Sequence, residues 1–340
     1  MDETMQSLII TAHGTYVGKE SERVVVKKGD QVVQEVPFFR LGEIVLPAHG
    51  AALSTDVIAE ACERGIRISL LDGHGKPYAM LSSPHLTATV ATRRAQMAAY
   101  LDGRSVAIGK AIVGGKLRNQ ASLLKYFGKY LKGADAGRFR AVVEAVRGIV
   151  AQRRATRAVE GEKIDDIREA LMGHEGAAGM AYWGAVRVLL EGKADFKGRE
   201  HQGAKDPVNA SLNYGYGILY NEMWGAVLNA GLEPFAGFLH VDRSGKPSLV
   251  LDLVEEFRGP VVDRAIIALF TKGGEARMEN GLLNQEARRL VASRVLERLD
   301  GEATFEGKTY RVRSILQQQA RHLATAVRGE REYVPFSFKW

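Results

Sequence analysis

The texture of this chain changes once, near Pro84. Before it, short β-branched runs alternate with turn residues. Beyond about Thr87, Ala, Leu, Arg, Glu and Gln dominate and the alternation mostly disappears. A strand buries one face with a period of two, a helix buries a stripe with a period of about 3.6, and one segment cannot serve both. The expected fold class is therefore α+β, with a small N-terminal β-rich domain over residues 1–84 and a larger all-α domain over residues 85–340. A length of 340 residues agrees with two domains at the usual roughly 100–200 residues each.

In the first part, Leu8-Ile9-Ile10, Thr15-Tyr16-Val17, Arg23–Lys27 and Gln31–Val36 read as strands, with Lys28-Gly29-Asp30 turning between the last two. They suggest an antiparallel, hairpin-rich domain. Glu43–Leu46 and Ile68–Leu71 add two strands, and between them Thr55–Arg64 has a helical pattern, capped by Ser54 or Thr55 and followed by Gly65. A turn at Gly73–Pro77 and a linker at Ser82–His85 close the domain. The second part predicts helices at 88–101, 106–130, 136–154, 164–171, 176–190, 208–230, 249–270, 284–299 and 312–327. The alternating Ala303–Val312 is the exception, read as a short hairpin arm.

Composition excludes several classes. With 46% hydrophobic residues the chain is no disordered tail, and a single cysteine, Cys62, builds neither an internal disulfide nor a Cys-rich zinc site. No run reaches the roughly 18 apolar residues of a membrane span, and Met1-Asp2-Glu3-Thr4 is acidic where a signal peptide is basic. A soluble, cytoplasmic protein with no membrane partner is expected. Neither a phosphate-cradling Gly-rich loop nor a nucleophile elbow is present, which argues against nucleotide and serine hydrolysis.

The net charge of +7 is unevenly spread. Residues 1–90 hold 8 basic and 11 acidic side chains (net −3), residues 91–150 hold 12 and 3 (net +9), and the remainder 27 and 26 (net +1). The basic stretch reads either as a solvated helical face or as a surface for phosphates.

Four blocks carry candidate chemistry. Gly173-His174-Glu175-Gly176 sets a carboxylate at an expected helix start, among small residues that allow a second helix close by. Asp206–Tyr216 is the next block. Ala230–Pro234 leads to Gly237-Phe238-Leu239-His240, a histidine ending an apolar run. In Ser248–Arg258, Asp252 and Glu255 are three apart and share a helix face close to apolar positions. Semi-buried carboxylates are costly unless paired or bound to metal, and acids with one imidazole favour Mg²⁺ or Mn²⁺ over structural zinc.

In order and spacing these blocks resemble the CRISPR-associated DNA endonuclease/integrase family, the catalytic subunit of the spacer-acquisition complex. Asn119 and Tyr333-Val334-Pro335-Phe336 extend the resemblance. It implies a β-rich dimerisation domain, a helical catalytic domain, a homodimer and a second adaptation subunit. It also implies a divalent Mg²⁺ or Mn²⁺ on Glu175, His240 and Glu255 as catalytic and metal residues, with Asp252 as an additional acid beside them. The chain departs from the family pattern at Glu256, where proline is common, and at His174, which introduces a competing ligand. The implied reaction is attack of a captured fragment's 3′-hydroxyl on a phosphodiester of the CRISPR repeat beside the leader, with nuclease activity on branched DNA. Asp252 is a candidate to orient His240. Arg93, Arg94, Lys110, Lys116, Arg118 and Lys125 are candidate phosphate contacts, and Arg258 is either another or an ion-pair partner of the nearby acids. A stand-alone metal-dependent nuclease and a non-catalytic DNA-binding scaffold are the competing readings.

Overall fold

The computed structural model describes residues 6–46, 50–72, 75, 77–81, 90–200 and 203–339. The chain divides into two compact units, Met1–Thr87 and Ala88–Trp340. The expected linker at Ser82–His85, and with it the boundary at 84/85, lies outside the described residues, as do Gly73, His74 and Lys76 of the expected turn.

The N-terminal unit holds β1 (Gln6–Ile9), β2 (Thr15–Glu20), β3 (Arg23–Lys28), β4 (Gln31–Pro37), β5 (Leu41–Leu46), β6 (Ala52–Leu53), α1 (Thr55–Glu63), β7 (Arg67–Leu71) and β8 (Pro77–Leu81). They form two four-stranded sheets, β4-β3-β2-β6 and β1-β5-β7-β8. The β2–β3–β4 meander is antiparallel as its turns predict. The second sheet corrects the antiparallel expectation for Leu8–Ile10, because β1 runs parallel to β5, and β7 also runs parallel to β5 with α1 between them, the mixed α/β element that this stretch suggests. The run Ile44-Val45-Leu46 is buried without alternation, the pattern of a central strand covered on both faces. Ser54 caps α1 by accepting from the Val57 amide at 3.2 Å, and Gly65 turns the chain out of the helix at φ +69°. Leu8, Val17, Val24, Phe38, Ile44, Val57 and Ile68 meet in one core.

The C-terminal unit is helical: α2 (Val90–Tyr100), α3 (Gly103–Gly128), α4 (Ala136–Ala158), α5 (Ile164–Leu190), α6 (Pro207–Asn229), α7 (Ser248–Phe257), α8 (Arg264–Thr271), α9 (Gln285–Asp300) and α10 (Val312–Val327). A small hairpin of β9 (Met278–Glu279) and β10 (Leu282–Leu283) precedes α9. The expected arm is a second hairpin, β11 (Glu302–Phe305) with β12 (Lys308–Arg311). Asp102, Asp135, Asp206 and Asn284 cap α3, α4, α6 and α9.

Two helices differ from the sequence reading. The segments expected at 164–171 and 176–190 are one helix, α5, so Glu175 lies mid-helix rather than at a helix start. The buried stripe Ile164, Ile167, Leu171, Ala178, Tyr182 and Leu189 runs through the glycines, and its packing outweighs their weak propensity. Conversely, the helix expected over 249–270 is interrupted by a π-helical turn, Arg258–Asp263. Pro260 has no N–H to offer the carbonyl of Glu256, and that carbonyl instead accepts the Asn119 side-chain amide at 2.7 Å.

Candidate active site

Three elements place the predicted ligands. Glu175 projects from the middle of α5, Glu255 from the last turn of α7, and His240 from the loop between α6 and α7. Glu175, His240 and Glu255 line one cavity of ≈ 310 Å³, together with Lys116 of α3 and Arg258.

The loop that carries His240 is firmly tied. Asp252, fully buried on α7, accepts the backbone amides of Phe238 (2.6 Å), Leu239 (3.0 Å) and His240 (2.9 Å). Its Oδ1 also pairs with His240 Nδ1 at 2.7 Å. Gln96 of α2 grips the start of the loop, accepting from the Glu233 amide and donating to the carbonyls of Glu233 and Ala236. Arg168 of α5 donates to the Phe238 carbonyl at 3.1 Å. Gly237 lies so close to α7 that a Cβ there would stand 2.7 Å from the Ser248 backbone, hence a glycine.

Charge dominates the centre. The Lys116 ammonium bridges Glu175 and Glu255, standing 2.5 Å from the latter, and Arg258 approaches Glu255 at 3.4 Å. Burial would raise the Glu255 carboxyl, but Arg258, Lys116 and His240 outweigh it and hold the group down at about 2. Burial likewise works against the charge on Lys116, and Glu255 and Glu175 overcome it, raising Lys116. Lys116, a candidate phosphate contact, stands between the two acids of the cavity. For Arg258, the ion-pair alternative describes its place, and its guanidinium also lies 4.8 Å from the Tyr216 ring centroid.

A second cavity of ≈ 340 Å³ adjoins the first across Lys116, Glu175, Glu255 and Arg258. It is lined further by Gln120, Gly176, Gly179, Trp183, Arg199, Tyr216 and Asp263. Buried Asp263 accepts hydroxyls from Tyr182 (2.7 Å) and Tyr216, and burial raises its carboxyl. These residues were not singled out from sequence. Tyr216 closes one of the quoted blocks, whereas Arg199 and Asp263 lie in no motif. The small residues of α5 divide by face: Ala178 is fully buried and Ala181 packs against Gly148 of α4, as expected, whereas a Cβ on Gly173, Gly176 or Gly179 would meet nothing within 4 Å among the described residues.

The remaining predicted residues lie elsewhere. Arg93 and Arg94 are on α2, and Lys110, Arg118 and Lys125 on α3; Arg94 and Lys125 are exposed. Lys110 donates to the Arg157 carbonyl, and Lys125 edges an apolar groove against α4. His174 pairs through Nδ1 with Gln152 at 2.7 Å and lines neither cavity around Glu175. Glu256 is buried, accepting from Tyr333, Gln319 and the Phe336 amide, while Asn119 donates to the Phe336 carbonyl and accepts the Phe338 amide. The two outlying pieces of the sequence pattern, Asn119 and Tyr333–Phe336, thus meet beside α7.

Among the described residues, no three His, Cys, Asp or Glu side chains stand close enough together to hold a metal ion. The donor chemistry of the site nonetheless suits a hard divalent cation. Two carboxylates already share one cation, Lys116, and among the described residues the second ring nitrogen of the imidazole on the same cavity has no hydrogen bond.

The family model described as CRISPR associated protein Cas1 matches residues 8–297. A CRISPR-associated endonuclease Cas1 of Archaeoglobus fulgidus is 36% identical over 345 residues, covering 98% of this chain and 99% of that protein. One from Francisella tularensis subsp. novicida is 32% identical, covering 99% and 100%. In fold, the chain is similar to a casposase bound to integration product, with a TM-score of 0.80 at 22% identity over 98% of this chain and 93% of that one. With a family model matched over most of the chain and relatives above 30% identity covered almost end to end, the chain belongs to the Cas1 family of CRISPR-associated proteins.

Proposed function

We propose that this chain is a DNA endonuclease and integrase that inserts captured fragments into a CRISPR array. A fragment's 3′-hydroxyl attacks a phosphodiester of the repeat beside the leader. The observation that carries this reading is that Glu175, His240 and Glu255, spread over 81 positions of sequence from 175 to 255, line one cavity with two cations. Relatives that bear the name endonuclease, and the likeness to a casposase with its integration product, support it.

A Mg²⁺ or Mn²⁺ ion held by Glu175, His240 and Glu255 would supply Lewis-acid polarisation of the phosphodiester. The chain's own residues do the rest. Asp252 engages Nδ1 of His240, which would leave the other ring nitrogen to serve as the ligand. Arg258 and Lys116 draw the phosphate anion toward the carboxylates and offset the charge that develops on it. Arg93, Arg94, Lys110, Arg118 and Lys125 hold the duplex by its phosphates without reading sequence.

The chain works in the cytoplasm as a homodimer through its N-terminal unit, with a second adaptation subunit. Strand β4 supports the dimer surface: its Val32 and Val33 are 42% and 52% exposed at a sheet edge. Among the described residues no helix is long and apolar enough to cross a membrane.

The test is strand transfer of a labelled fragment into a supercoiled plasmid bearing a repeat array, with Mn²⁺ and the partner subunit. Joined product that disappears in Glu255→Ala is the expected result. Joining that persists in that variant overturns the assignment, and metal-dependent cleavage without joining favours the stand-alone nuclease.

A further inference from the structure

The second cavity contains more recognition chemistry than polarisation of a phosphate requires. Gln120, on α3, is only 5% exposed, and among the described residues its buried amide oxygen has no hydrogen-bond partner. A buried unpaired amide is costly, and sites that leave one open are often completed by a ligand. Arg199 reaches the same cavity, and its hydrogen bonds go to neutral oxygens: Asn209 Oδ1 (3.0 Å), Asn213 Oδ1 (2.6 Å) and the Glu200 carbonyl. Burial lowers this guanidinium, which therefore favours an incoming anion. Gly176 and Gly179, where an added Cβ would meet nothing within 4 Å among the described residues, leave open space in a wall they share with Met180 and Trp183. A volume of ≈ 340 Å³ lies at the low end of small-ligand pockets, roughly 300–1,000 Å³, and suits one nucleotide rather than a duplex.

We propose that this cavity takes a single nucleotide turned out of the DNA next to the phosphodiester under attack, its phosphate held by Arg199 and its base read by Gln120. The amide of Gln120 presents an acceptor oxygen and a donor nitrogen. That pair matches the N6 amino group and N7 of adenine, so adenine is the preferred base. The glycine wall admits the flat ring where any side chain would fill its place. The inference rests on the integrase reading for its ligand and adds a base preference to it.

The test uses branched duplexes carrying 2-aminopurine, a fluorescent adenine analogue, at one nucleotide after another across the branch, with the full chain in EDTA. Anisotropy of the same DNA reports total binding. The expected result is a severalfold rise in emission at one position, because the analogue brightens when it leaves the stack. Gly179→Val, which puts a side chain into the cavity, removes that rise while anisotropy still reports bound DNA. With Mn²⁺ present, reaction at DNAs bearing adenine at that position exceeds the other three bases by about tenfold, and Gln120→Ala narrows the ratio to about twofold. DNA that binds with no bright position, or a bright position that survives Gly179→Val, overturns the pocket and leaves the integrase reading intact. If no DNA binds and no metal-dependent reaction occurs, both readings fall together.

Discussion

Asp252 reaches His240 twice, from ring nitrogen Nδ1 at 2.7 Å and from the backbone amide at 2.9 Å. The same carboxylate thus fixes both the path of the loop and the orientation of the imidazole. Asp252→Asn keeps the size but turns an NH₂ toward backbone donors. Each donor left unsatisfied costs about 1–3 kcal/mol, and Mn²⁺ affinity falls by roughly 10- to 100-fold through the misdirected ring. Urea unfolding and calorimetric Mn²⁺ titration measure the two effects. A variant that unfolds like the parent and binds Mn²⁺ as tightly contradicts this role.

Lys116 occupies the place between two carboxylates that a divalent ion would need. Lys116→Met leaves Glu175 and Glu255 facing each other, so in EDTA the variant loses about 3 kcal/mol of stability and the Glu255 carboxyl titrates higher than about 2. Mn²⁺ then has no ammonium to displace, and it raises the melting temperature of the variant more than that of the parent. Equal shifts in the two proteins would show that the lysine does not compete.

Glu256 gives a pH signature. Burial raises its carboxyl, and the Tyr333, Gln319 and Phe336 donors only partly counter this, leaving it up from 4.5 to about 7. The folded chain therefore keeps a proton that the unfolded chain releases. Stability contributed by this group is full below about pH 4.5, falls as pH rises to about 7, and is level beyond, a loss of about 3 kcal/mol in all. Glu256→Gln removes that slope. Urea unfolding in EDTA near pH 5 and near pH 8 compares the two, and an unchanged slope refutes the assignment.

Two glycines should respond in opposite directions. Gly237→Ala puts a Cβ 2.7 Å from the Ser248 backbone, which cannot move aside cheaply, so the variant loses about 1–3 kcal/mol and its His240 loop lifts off α7. Gly173→Ala, in mid-helix with open space around it, gains up to about 1 kcal/mol. Thermal melts of both variants check the pair of signs.

Much of this was legible in the sequence because it repeats locally. The change of period near Pro84 separated strands from helices, and the three-residue spacing of Asp252 and Glu255 put both on the inner side of α7. What escaped depended on partners far along the chain. The parallel pairing of β1 with β5 joins segments that no turn connects, and the continuity of α5 through Gly173, Gly176 and Gly179 is imposed by its buried stripe. Gln96 and Arg168 hold the His240 loop from α2 and α5, where a lone polar residue in a helix carries no signal of its partner. Arg199 sits in irregular chain with no periodicity to betray it.

The π-helical turn at Pro260 also sets angular phase. In an unbroken α-helix, Glu255 and Asp263 would point roughly 80° apart, at about 100° per residue. The turn absorbs one residue and brings them to roughly 20°, so both acids face the same cavity. A single imino acid thereby acts as the gear tooth that aligns the two ends of this helical rod: straightening the turn would leave Glu255 in place and rotate Asp263, with the tyrosines it anchors, away from the reaction.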